Sequence, residues 1–440
     1  MTAEHRRVNK LQQLPVPVAQ WGPYLSERQW GTVREDYSAG GNAWNYFPFE
    51  HAHARAYQWG EDGLAGISDR FQNLCFSVAL WNGKDPILKE RLFGLHNGEG
   101  NHGEDVKELY YYLDNVPSHF YMEYLYKYPQ RRFPYEKLKE ENRHRSRLEG
   151  EYEILDTNVF KHSRYFDVKI VYAKHSTTDI FIKIEVTNRY NKAADITVLP
   201  TLWFSKQAHT KGLSTPPLII YNNETSVKAT HERLGDYYFY TESPDDMLFT
   251  ENATNFFKIA GAADKDIFVK DAFNDAIING DHIEALRNKR RGTKFSSVRK
   301  MRIPAEATRT VYCRLTSEPL DNAFEAGFEQ IFDTRKKEAD AFYAAILPAG
   351  LQDDVANIQR QALAGLLWSK QFYCLDVEKW INGTDGITPA TTSRLSGRNH
   401  DWQHLKNQDI ISMPDKWEYP WYAAWDLAFQ CISMAAIDPG

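Results

Sequence analysis

Between about residues 160 and 315 apolar and polar side chains alternate with a period of two. Phe166-Asp-Val-Lys-Ile-Val-Tyr, Ile180-Phe-Ile-Lys-Ile-Glu-Val, Ile196-Thr-Val-Leu-Pro-Thr-Leu-Trp and Thr310-Val-Tyr-Cys-Arg-Leu set β-branched or aromatic residues against charged ones, the pattern of strands with one buried face. Lys211-Gly-Leu-Ser-Thr-Pro-Pro and Asn279-Gly-Asp-His interrupt the runs with residues that favour turns. The pattern predicts an antiparallel β-sandwich. Residues 20 to 125 mix glycine-rich turns with apolar stretches such as Leu74-Cys-Phe-Ser-Val-Ala-Leu-Trp, and are expected to add strands to the same unit.

The period changes near residue 321. Phe324, Phe328, Ile331, Phe342 and Ile346 fall at helical spacing and Pro348 closes the segment; Leu351, Val355, Ile358, Ala362 and Leu366 then form a second stripe. The expected organisation is multidomain β + α: an N-terminal tail (1–19), a β-sandwich domain (20–318), a linker helix (319–349) and an all-helical unit (350–440). Glu136 to Glu151 is dense in mixed charge and reads as a solvated helix or exposed excursion.

Composition changes this picture little. The 440 residues suffice for at least two domains. With 53 basic and 59 acidic side chains and a pI near 6.2, nothing in the charge balance favours nucleic acid or an anionic membrane, and neither is an expected partner. The N-terminus lacks an apolar core of the signal-peptide kind, and no apolar run reaches spanning length, so a soluble, cytoplasmic protein is expected. The four cysteines form no CxxC pair, and Cys75, Cys313 and Cys431 sit in apolar runs as reduced core residues would. His51, His53, His96, His102, Glu104 and Asp105 show no recognised ligand spacing, so no metal is expected. The absence of GxSxG, Walker and Rossmann patterns removes support for acyl, phosphoryl and hydride transfer, and no cofactor is expected.

The strongest chemical signal lies in Trp417-Glu-Tyr-Pro-Trp-Tyr-Ala-Ala-Trp-Asp426-Leu-Ala-Phe, where Asp426 is the one acid in the otherwise apolar, aromatic helix expected after Pro420. Among Trp421, Tyr422, Trp425 and Phe429 a carboxylate is expected to be poorly solvated, which disfavours its charged form and suits it to hold a proton near neutral pH. Aromatic faces also stack on the apolar side of a sugar ring, so the segment reads as a proton donor in a carbohydrate pocket. The competing reading is a buried Asp satisfied by a backbone or Arg partner. Loops containing Trp380 and Asn382, Arg398 and Asn399, and Trp417, Glu418 and Trp421 are candidates for the pocket wall. Arg28 and Trp30, in the Arg- and Trp-rich segment Trp21 to Tyr37, are equally compatible with a ligand loop and with an interdomain ion-pair network.

In Trp21 to Tyr37, Trp59 to Asp69, Leu88-Lys-Glu-Arg-Leu-Phe-Gly-Leu, Gly100-Asn-His-Gly-Glu-Asp-Val-Lys-Glu and the Ser412 to Phe429 segment, the sequence resembles the long prokaryotic members of glycoside hydrolase family 63. That family includes processing α-glucosidase I type enzymes and relatives acting on mannosylglycerate or glucosylglycerate. The resemblance implies an N-terminal β-sandwich, a linker helix and an (α/α) six-hairpin toroid with an inverting site. It makes Asp426 of Trp425-Asp-Leu-Ala-Phe429 the general acid. Gln430 departs from the eukaryotic form of the motif, which has His there. An inverting site needs a second carboxylate roughly 6.5–9.5 Å from the acid, and the Glu implied for this role lies beyond residue 440. Glu418 is nearest in sequence but is separated from Asp426 by the Pro420 turn, and no base is assigned. The chain is therefore expected to hold only the first hairpins of an incomplete toroid and to be inactive alone, its substrate an oligosaccharide or small α-glycoside. A non-catalytic carbohydrate-binding or domain-docking module is the alternative.

Overall fold

The computed structural model describes residues 1–13, 21–29, 48–96, 98–100, 105–206, 212–261, 268–325, 327–383, 392–397, 399–413 and 422–438. The period-two runs become the strands Tyr165–Ser176, Asp179–Asn188, Ala194–Phe204 and Thr308–Thr316. Their register sets Ile170 opposite Ile184 and Val311 opposite Ile184. On the other face Lys169 meets Glu185 at 2.7 Å, an opposite-charge pair across strands.

Two antiparallel sheets result. One has five strands in the order Ile67–Ser68, Leu74–Trp81, Ala194–Phe204, Lys294–Ile303, Asp246–Thr250. The other has nine: Arg291–Gly292, Leu218–Asn223, Ser226–His231, Gly235–Thr241, Thr308–Thr316, Asp179–Asn188, Tyr165–Ser176, Tyr121–Pro129 and Tyr110–Asn115. Phe76, Val78 and Leu202 of the first share one buried apolar cluster with Ile170, Ile184 and Phe239 of the second. Strands from residues 67–129 thus join both sheets, as expected. Among the described residues about 28% are helical and 33% lie in strands, with ten α-helices.

The helix Phe328–Ile346 covers the outer face of the nine-stranded sheet, where Phe328 and Phe332 pack with Tyr121, Val171 and Phe181. Arg314 clamps Asp179 with two hydrogen bonds of 2.8 Å beneath it. The segment expected as a tail contains the helix Ala3–Gln12, started by a Thr2–His5 capping box and docked on Phe328–Ile346. His5 meets the Phe342 ring at 5.2 Å and Arg7 pairs with Glu338 at 2.7 Å. The helix Asp353–Trp368 rests on the sheet edge, its Trp368 indole stacked on Tyr112 at 5.3 Å and bonded to the Asp114 carbonyl. The charge-dense segment forms the helix Tyr135–His144, anchored by Leu138 and Asn142.

Residues 350–440 depart from the all-helical expectation. Lys370–Asp376 is a strand paired antiparallel with Lys406–Ser412, and Phe372 N–H also donates to the Tyr24 carbonyl at 3.1 Å. Gln371 through Asp376 are buried on both faces, so no alternation marks them. Their partner Lys406-Asn-Gln-Asp-Ile-Ile-Ser is mostly polar and is drawn into the pair by tertiary contacts. Cys75, Cys313 and Cys374 are buried free thiols, whereas Cys431, expected in the core, is exposed.

Candidate functional site

The helix Ala424–Met434 carries two apolar stripes. Leu427, Cys431 and Met434, spaced four and three residues apart, face inward onto a cleft, while Trp425, Phe429 and Ile432 face solvent with 72%, 64% and 73% exposure. A helix apolar all round normally has neighbours on every side. Trp425 and Phe429 meet edge to face at 5.9 Å, and Tyr422, just before the helix, meets Tyr373 at 5.6 Å. Asp426 sits half-exposed in the first turn, three residues from Phe429 and so beside it on the helix surface. The apolar enclosure expected around Asp426 is not formed by the described residues: its aromatic neighbours Trp425 and Phe429 make an open ledge, and Asp426 itself is only partly buried. Such a ledge has the chemistry of a sugar-stacking surface with an acid at its margin.

Gln430 faces the other way. Its Nε2 donates to the Met413 carbonyl at 2.9 Å and its Oε1 accepts from Ser412 Oγ, which fixes the helix to the strand Lys406–Ser412.

The remaining sequence candidates are dispersed. Trp380 is buried, with the Arg394 guanidinium 4.9 Å over its ring and bonded to its carbonyl. Its indole Nε1 has no partner among the described residues. Asn382 is exposed at the end of the helix Val377–Asn382. Asn399 adopts φ 63° and accepts a hydrogen bond from Trp402 N at 2.9 Å. Arg28 is buried, with its guanidinium 5.2 Å over the Phe49 ring and donating to the Gly94 carbonyl at 3.5 Å; burial pushes its pKa down to about 9. Trp30, Arg398, Trp417, Glu418 and Trp421 lie outside the described residues.

Sequence reasoning did not identify a buried charge network at one end of the sheets. Arg91 Nε reaches both Asp62 oxygens at 3.2 Å, and Lys294 meets Glu90 at 2.9 Å. Glu61 accepts from the Trp203 indole, Lys206 N and Asn252 Nδ2 at 3.0, 3.1 and 3.0 Å. Burial pushes Glu61 up, against the pull of Lys270. Burial alone would also raise Glu90, but Lys294 and Arg91 outweigh it and hold it down to about 2. Three acids here balance Arg91, Lys270 and Lys294 around a void of about 10 Å³, space on the scale of a single water. The local signal available was the pair of acids Glu61 and Asp62 in the segment from Tyr57 to Arg70, which has the same ligand-loop or ion-pair character as Trp21 to Tyr37. Asp105, Glu151 and Glu153 also converge, but the buried Lys107 ammonium bonds all three and supplies the positive charge there.

No known protein-family model matches the chain. It is 41% identical over 466 aligned positions to the Saccharomyces cerevisiae protein YMR196W, described as uncharacterized. The match takes in 95% of this chain and 43% of the yeast protein, so the chain spans less than half the length of that relative. Among solved structures, a protein described as a kojibiose phosphorylase from the human microbiome is similar over 81% of this chain and 41% of its own, at 9% identity and a TM-score of 0.25. That likeness is too slight to bear on function. No helix among the described residues is long and apolar enough to cross a membrane.

Proposed function

We propose that this chain carries the proton-donor segment of an inverting α-glycoside hydrolase of the glycoside hydrolase family 63 type. In this reading the two sheets form the N-terminal β-sandwich, Phe328–Ile346 is the linker helix, and the helices after residue 350 begin an (α/α) toroid. Asp426 protonates the leaving oxygen of an α-glucosidic or related bond, and Trp425 and Phe429 stack on the sugar. The water-activating Glu comes from beyond residue 440. The observation that carries the reading is the partly buried Asp426 beside two solvent-facing aromatic rings on one helix.

The open ledge favours a second reading, a carbohydrate-binding module that holds a glycan without cleaving it. Incubating the 440-residue chain and the full-length gene product with α-glucosides separates the two. The hydrolase reading expects turnover by the full-length protein only. Glycan binding by both with turnover by neither selects the module.

A further inference from the structure

A cleft of about 520 Å³ opens between the helix Ala3–Gln12, the strand pair and the inner stripe of the helix Ala424–Met434. It lies on the opposite side of that helix from Trp425 and Phe429 and is independent of the glycoside reading. Its volume falls in the range of small-molecule sites. Its lining combines aliphatic Leu11, Leu427 and Met434 with polar Tyr24, Arg70, Lys370 and Asp438.

Lys370 and Asp438 pair at 2.5 Å and neutralise each other. Arg70 is half-buried and makes no hydrogen bond or ion pair among the described residues. Tyr24 is only 2% exposed, its ring edge against His119 at 5.9 Å, and its hydroxyl likewise has no partner among them. Arg70, with its planar guanidinium, and Tyr24, with its hydroxyl donor, line one cleft, and withdrawing such groups from water is unfavourable until an acceptor meets them. Asp69, beside Arg70, also acts on the Tyr24 hydroxyl, but its carboxylate accepts from Phe71 N, Asn73 Nδ2 and Leu74 N and leaves the two donors unmet. A carboxylate can accept from both donors.

From this we infer that the cleft binds a small monocarboxylate with an aliphatic body. The carboxylate lies on Arg70 and accepts from the Tyr24 hydroxyl, and the hydrocarbon lies against Leu427 and Met434.

Cys431 gives a reporter at the site. It lines the cleft and is exposed, while Cys75, Cys313 and Cys374 are buried. The experiment is the rate of Cys431 alkylation by iodoacetamide in the 440-residue chain, titrated with hexanoate and separately with inorganic phosphate. Hexanoate is expected to slow alkylation saturably, and phosphate to do so only at higher concentration. Arg70→Gln is expected to weaken protection by about tenfold, and Tyr24→Phe by a smaller factor. Labelling of one thiol rather than four identifies a folded variant; if Arg70→Gln does not fold, Tyr24→Phe carries the test. Absence of hexanoate protection, stronger protection by phosphate, or unchanged protection in the folded variants would each overturn the proposal.

Discussion

Gln430 and Ser412 join the helix that carries Asp426 to the strand beneath it. The Ser412 hydroxyl donates to the Gln430 amide oxygen, and the amide nitrogen donates to the next carbonyl along the strand, that of Met413, at 2.9 Å. Gln430 is therefore a fastening residue and takes no part in the aromatic ledge. Gln430→Ala removes both bonds, and about 1–3 kcal/mol of local stability is expected to go with them. Hydrogen exchange should rise in residues 424–434 and stay unchanged in the sheet strand Asp179–Asn188. Equal loss of protection in both would show that the helix does not open separately.

The buried pair Lys294–Glu90 makes a stronger demand on the fold. Lys294→Met leaves Glu90 with Arg91 alone at 3.4 Å, and removal of one partner from a buried pair costs about 3–5 kcal/mol. The double variant Glu90→Leu/Lys294→Met is expected to recover part of that loss. Urea denaturation of the single and double variants tests this, and a double variant less stable than Lys294→Met would contradict it.

Lys174 contributes a pH dependence. Burial pushes its amine down to about 7, partly offset by Glu4, while its Nζ donates to the Trp21 and Ser118 carbonyls. The folded value lies below the ordinary lysine value, so the fold prefers the neutral amine. Its contribution to stability is present above the unfolded value and is lost as pH falls through about 7. Relative to Lys174→Met, the wild-type chain is expected to gain stability as pH rises from about 7 towards 10. Thermal melts of both proteins across that range provide the check; parallel curves would contradict it.

Trp425 and Phe429 are too exposed to hold the fold together. Alanine at either position is expected to change stability by no more than about 0.5 kcal/mol. The same changes are expected to weaken glucoside binding by about 1–3 kcal/mol, on the scale found for stacking on aromatic rings. Isothermal titration with a glucoside oligomer reads the second effect, and unchanged affinity would remove the ledge from the binding surface.

The legible parts of the fold were those where a single period persists. Ile180-Phe-Ile-Lys-Ile-Glu-Val alternates cleanly and lies within Asp179–Asn188, because one face meets the core and the other carries Lys183 and Glu185, which pairs with Lys169 of the neighbouring strand. The stripe from Phe328 to Ile346 became one helix for the same reason. Lys370–Asp376 escaped because both its faces are buried, which erases alternation. At the candidate site, Asp426 and its aromatic neighbours were visible as a run of residue types, but the sequence did not reveal which rings face outward. That depends on Gln430 and Leu427 fixing the helix's rotation. The network around Glu61 joins residues up to 204 positions apart, and no local pattern encodes such a meeting.

The role of Asp426 is tested most directly by the full-length gene product and its Asp426→Asn variant acting on an α-glucoside, followed by proton NMR of the anomeric signals. The account predicts β-glucose as the first product of the wild-type protein and a fall in turnover of about 10²–10⁴-fold in the variant, with the melting temperature unchanged. Full turnover by Asp426→Asn, or α-glucose as the first product, would contradict it.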